Sequence, residues 1–272
     1  MYEEPYRWVE AVGNRRIYLD EQFTQGSPVV ALAYDGGILL TTVSKGTPKL
    51  YEIYDRIALG GMGHPADLEK LRFSLLEMAH VEGFNRSPSD VTGSRLVKYG
   101  IAPVVKQAFE EVFKAPFIVK MLLAELGQKA EKNSFLVVNY DGTFEEGSRC
   151  AVLAATKTVE QAMVGYLRRL SPESLPVEQA LGLALRAWAL GDRIQQRKQD
   201  DGAESGRSAS ETAPEVPDNA VLDTHLRERV ADRTIECALL DRRQPGSSKY
   251  RALKPADLMK MLPGDLQPIV AG

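Results

Sequence analysis

At 272 residues, with 44% hydrophobic content and a net charge of −3, the chain is long enough for one sizeable core plus appendages. It lacks the basic surplus that a nucleic-acid or anionic-membrane partner calls for. The longest apolar runs, such as Ile118 to Leu126 with Lys120 and Glu125 inside, fall short of a span of about 20 residues, and no positively charged start precedes an apolar signal segment, so a cytoplasmic location is expected.

In chain order, Tyr6 to Thr24 reads as a helix led in by Pro5, with Trp8, Val12, Ile17, Leu19 and Phe23 as its apolar face. Gly26-Ser27-Pro28 opens a buried strand to Tyr34, Asp35-Gly36-Gly37 is a tight turn, and Ile38 to Val43 is the returning strand. Lys49 opens a third strand to Arg56, and Ile57-Ala58-Leu59 a fourth that ends in Gly60-Gly61-Met62-Gly63. Pro65 starts a helix whose Leu68, Leu71, Leu75 and Met78 share a face. Ser87-Pro88-Ser89-Asp90 is a helix N-cap arrangement, and the spacing extends that helix to about Phe113.

Phe117 to Leu126 and Ser134 to Tyr140 read as paired strands, Asp141-Gly142 as a turn, and Ser148 to Ala155 as the next strand. Thr158-Val159-Glu160-Gln161 suggests a capping box for a helix carrying Val159, Met163, Tyr166 and Leu170. A further helix follows Ser174-Leu175-Pro176, with Val177, Leu181, Ala184, Leu185 and Trp188 inward. Lys198 to Asn219 is polar and acidic, cannot bury enough apolar surface to offset its ordering entropy, and is expected to be a disordered loop. Thr234 to Leu240 and Lys249 to Leu253 are strands around a Pro245-Gly246-Ser247-Ser248 turn, and Pro255 to Leu262 is a short helix.

This divides the chain into an N-terminal segment and helix (1–25), a main body (26–197), the acidic loop (198–219), elements completing the body (220–263) and a tail (264–272). Helices in pairs alternating with blocks of strands predict an α+β fold of two sheets covered by helix pairs. Cys150 and Cys237, in apolar strand-like contexts, are expected to be buried reduced thiols, and His64, His80 and His225 lack ligand spacing, so neither a metal nor another cofactor is expected.

The order from Gly26-Ser27 through Lys49 to Gly63, together with the tail Glu236-Cys237-Ala238-Leu239-Leu240-Asp241-Arg242 and Tyr250-Arg251-Ala252-Leu253, resembles the proteasome subunit family of N-terminal nucleophile hydrolases. The resemblance implies an α-β-β-α sandwich of two antiparallel sheets. Proteolytic members expose a Thr whose free amine and hydroxyl serve as base and nucleophile. The matching position here is Ser27, preceded by a helix and followed by Pro28, and the family's Asp falls on Val43. Lys49 alone survives, which implies a non-catalytic α-type subunit like those of bacteria, with no catalytic residue. The alternative is a self-processing peptidase that cleaves after Gly26 to expose Ser27.

By the same resemblance, identical subunits form a seven-membered ring over catalytic β subunits, and a hexameric AAA ATPase docks on it. Tyr2, Pro5, Tyr6 and Trp8 would form a gate at the ring axis. The family's N-terminal Tyr-Asp-Arg is absent there, since Tyr54-Asp55-Arg56 lies in the body. Lys49 would take the carboxylate of the ATPase tail in a pocket lined by Gly26 and Gly63. From the residues alone, Lys49 also reads as a solvated strand-end lysine and the glycines as turn residues.

Overall fold

The computed structural model describes residues 4–111, 113–204, 216–264 and 266–267. Helix α1 (Glu4–Phe23) leads into β1 (Val29–Tyr34), β2 (Gly37–Ser44), β3 (Leu50–Tyr54) and β4 (Ile57–Gly63). Next come α2 (Pro65–Asn85), α3 (Gly93–Arg95), a π-helical stretch (Leu96–Ile101) and α4 (Ala102–Glu110). β5 (Val119–Glu125), β6 (Ser134–Val138), β7 (Phe144–Gly147) and β8 (Cys150–Leu153) precede α5 (Lys157–Arg168) and α6 (Val177–Glu204). The chain closes with α7 (Asn219–Val230), β9 (Thr234–Asp241), β10 (Tyr250–Ala252) and α8 (Pro255–Met261).

Two antiparallel five-stranded sheets result, in the orders β10-β9-β2-β1-β8 and β3-β4-β5-β6-β7. Successive strand residues point to opposite faces, so a strand buried on both faces is apolar throughout. In β1, Val29, Ala31 and Ala33 fill the space between the sheets, while Val30, Leu32 and Tyr34 face the layer that holds Met163, Leu181 and Trp188. In β5, Leu122 and Ala124 face the same inter-sheet core, and Met121 and Leu123 meet Leu71, Leu75 and Val105 on the opposite helix layer. The expected four-layer α-β-β-α sandwich is the observed fold.

Several local expectations are corrected. Trp8 is 46% and Ile17 61% exposed, whereas Leu19 and Phe23 are fully buried and close one end of the inter-sheet core. The Ser87 cap starts only a 3-10 turn (Pro88–Asp90); the backbone is extended at Val91 and Thr92, and Thr92 caps α3 instead. That helix stops at Glu110, short of Phe113, which is 98% exposed. α5 starts at Lys157 behind Thr156, and the Glu160 carboxylate lies 3.5 Å from the buried Lys120 ammonium rather than capping; Leu170 lies past the helix end and is exposed. Helix α6 carries through Glu204 into the expected loop, while 205–215 lie outside the described residues. Strand β7 and helix α7 were not expected. Both cysteines are buried and free, and no helix among the described residues is long and apolar enough to cross a membrane.

Candidate functional site

Where the chain leaves α1, the β2–β3 loop and the β4–α2 junction meet the helices α6 and α7 around a cleft of about 600 Å³. Gly26, Lys49 and Gly63, far apart in sequence, all line it. Each glycine is there for a steric reason. Gly63 has φ +129°, and a Cβ on it would sit 2.1 Å from the Ile118 carbonyl oxygen, so the chain could not pass this close to β5 with any side chain. The next amide, His64 N–H, donates to that same oxygen at 2.7 Å, and the His64 ring accepts from Ala66 N–H at 3.3 Å to start α2. Gly26 ends the first helix segment by donating to Phe23 O at 2.9 Å; a Cβ there would meet the Met62 methyl at 2.2 Å.

Lys49 is fixed through its backbone. Its N–H donates to Glu236 Oε2 at 2.9 Å, its carbonyl accepts from Gly61 N–H at 2.9 Å, and Ser44 Oγ donates to Glu236 Oε1 at 2.6 Å. Glu236 thus clamps both ends of the β2–β3 loop. The half-buried Lys49 ammonium lies 3.4 Å from Ser27 O. Burial draws its pKa down to about 8, nearby Arg233 adds to that, and Glu236 opposes it.

Ser27 is buried, and its hydroxyl is committed on both sides: it donates to Val43 O at 2.5 Å and accepts from Trp188 Nε1–H at 3.0 Å. Trp188, from α6, is fully buried. Val43 takes part in this arrangement through its carbonyl alone.

The sequence reading missed the charged wall opposite Lys49. Arg229 and Arg233, in and just after α7, line the cleft together with Asp192 and Gln195 of α6. Asp192 is 3% exposed, accepts from Arg229 Nη2 at 3.1 Å, is ion-paired with Arg229 Nε at 2.7 Å, and is hydrogen-bonded with His225 Nε2 at 2.9 Å. Burial works to raise its pKa, but the hydrogen bonds from His225 and Arg229 outweigh it and hold the carboxyl below its ordinary value. Gln195 bridges Ala155 N–H and Gly26 O, each at 2.9 Å. The signal that could have located this wall is Asp218 ahead of a Leu222/Leu226 pair at helical spacing.

Of the expected gate residues, Tyr2 lies outside the described residues, Pro5 and Tyr6 lie in α1, and the half-exposed Trp8 is not part of the cleft. Among the described residues no group of three or more His, Cys, Asp or Glu side chains is placed to hold a metal ion. The cleft offers two ammoniums, from Lys45 and Lys49, two guanidiniums and close-approaching backbone, the equipment for binding an anion.

The model of the proteasome subunit family matches residues 23–201. A proteasome subunit alpha of Saccharopolyspora erythraea is 31% identical over 169 residues, 61% of this chain and 64% of the relative, so that match spans just under two thirds of the relative's length. One from Thermomonospora curvata is 31% identical over 219 residues, 79% of this chain and 86% of the relative. One from Streptomyces coelicolor is 26% identical over 261 residues, 93% and 87% of the two chains. With the sandwich and the cleft, these matches establish that the chain belongs to the proteasome subunit family, among relatives that are its α-type members.

Proposed function

We propose that the chain is a non-catalytic α-type subunit of a proteasome core particle. Identical copies form the seven-membered outer ring, catalytic β subunits lie beneath it, and a hexameric AAA ATPase docks by placing the carboxylate of its C-terminal tail on Lys49. The observation that carries this reading is the Ser27 hydroxyl, buried and held between Val43 O and Trp188 Nε1. Its nitrogen is an amide within the chain and Pro28 follows it, so no free amine stands beside the hydroxyl to act as base. Lys49, by contrast, is half-buried in an open cleft beside positively charged neighbours. An ammonium in such a setting binds a carboxylate better than a solvated lysine does.

The segment before the body, with Tyr2, Pro5, Tyr6 and Trp8, is assigned to the gate at the ring axis. A cytoplasmic location fits the two free thiols. The test is peptide hydrolysis. The purified chain alone should leave a fluorogenic peptide uncut and gain turnover only when assembled with a β subunit. Turnover by the chain alone that vanishes in Ser27→Ala would instead make it a peptidase.

A further inference from the structure

Resting on the reading of the cleft as a tail receptor, we propose that it takes two anionic groups from one incoming tail. While Lys49 receives the terminal carboxylate, Arg233, supported by Arg229, receives a side-chain carboxylate close to that terminus.

Charge is the first reason. Lys45, Lys49, Arg229 and Arg233 line the cleft against the single acid Asp192, and Glu236 lies against the Lys49 backbone. Asp232, at 4.0 Å from Lys45 and 3.8 Å from Arg233, offsets one more charge, and with all three acids counted the cations still outnumber the acids by one.

The second reason is that the available acids are already engaged elsewhere. Asp192 is occupied at short range by His225 and Arg229. Arg233 reaches Asp192 only at 3.9 Å and the exposed Asp232 only at 3.8 Å. Its side chain is 12% exposed, and its Nε–H is buried without a hydrogen-bond partner among the described residues. A guanidinium that has lost most of its water and keeps an open donor is suited to a planar, two-oxygen acceptor, which a carboxylate provides.

Rigidity is the third. Helix α7, which carries Arg229 and leads through a short turn into Arg233, is pinned to α6 by the two-pronged Arg186–Asp223 pair at 2.8 and 3.0 Å and to α5 by Tyr166 Oη–Asn219 at 2.9 Å. A preorganised wall loses little freedom on binding. Helix α7 also lies beyond residue 201, where the match to the family ends, so the second anion site is carried by a part of the chain outside that match.

The experiment is fluorescence anisotropy on the full-length chain, with its assembly state fixed by light scattering, using labelled hexapeptides whose other side chains are uncharged. One series carries Glu at the second or third position from the end, one carries Gln there, one carries Glu at the distal end, and one is C-terminally amidated. Near-terminal Glu should bind roughly ten-fold or more tighter than Gln, since hydrogen bonds to charged groups are worth about 1.5–3 kcal/mol. Arg233→Gln should erase that preference and Arg233→Lys should restore part of it. Equal binding of the Glu and Gln peptides, or of near-terminal and distal Glu, overturns the second site. Amidation that weakens binding while Glu and Gln stay equal leaves Lys49 as the receptor and removes only Arg233. Amidation without effect, or failure of every peptide to bind, overturns the tail-receptor reading with it.

Discussion

The indole N–H of Trp188 donates to the Ser27 hydroxyl at 3.0 Å across 161 residues of sequence, tying the core of the helix layer to the start of the first strand. A hydroxyl used in this way is a structural group. Ser27→Ala should therefore leave peptide turnover by the assembled particle unchanged. It should cost about 1–3 kcal/mol of stability, because the fully buried Trp188 N–H would lose its partner. Denaturant unfolding read by tryptophan fluorescence checks the stability, and an unshifted midpoint would count against the hydrogen bond.

The two cleft glycines should respond differently to Ala. At Gly63 the new Cβ meets backbone, Ile118 O, and φ is +129°; the unfavourable conformation alone costs about 1–3 kcal/mol before the clash is added. At Gly26 the nearest obstacle is the end of the Met62 side chain, which can turn aside. Thermal unfolding should show Gly63→Ala well below Gly26→Ala, and the reverse order would mean that the β4–α2 junction is not built as described.

Lys49 has a pH signature. Its pKa is about 8 in the folded chain against an ordinary 10.5. Below about 8 both states hold the proton and the folded state bears the cost of burying it. Between 8 and 10.5 the unfolded state binds more protons, so this group's contribution to stability rises with pH. Lys49→Met should accordingly be at least as stable as the wild type at pH 7, with the difference narrowing by pH 10. Carboxylate-tail affinity should fall as pH rises through 8 in the wild type and stay level in Lys49→Arg. Denaturation midpoints and tail-binding titrations at both pH values check these two statements, and a less stable Lys49→Met at pH 7 would contradict the burial cost.

Most of the sandwich could be read in the sequence because its strands are buried on both faces: continuous apolar runs such as Val29 to Tyr34 and Met121 to Ala124 leave few alternatives. Strand β7 was hidden because Phe144-Glu145-Glu146-Gly147 pairs at the sheet edge with three of its side chains exposed, giving no apolar pattern. Helix α7 was hidden because Leu222, His225 and Leu226 are its only side chains buried among many polar ones. The same fact concealed half of the cleft. Lys49, Gly26 and Gly63 could be placed from the order of the family's motifs, whereas Glu236 lies 187 residues from the backbone it holds and Asp192 lies 37 residues from Arg229. No local spacing connects such pairs.

The most direct test is ATP-dependent degradation of a tagged folded protein by particles assembled with Lys49→Ala subunits, the cognate β subunit and the cognate ATPase. Removing one member of a partly buried, charge-assisted pair costs about 2–5 kcal/mol per site, and the loss multiplies where several tails engage one ring. The expected result is that degradation of the folded protein disappears while particle size and small-peptide cleavage stay at wild-type levels. Degradation at the wild-type rate would mean that Lys49 is a surface lysine and that docking occurs elsewhere.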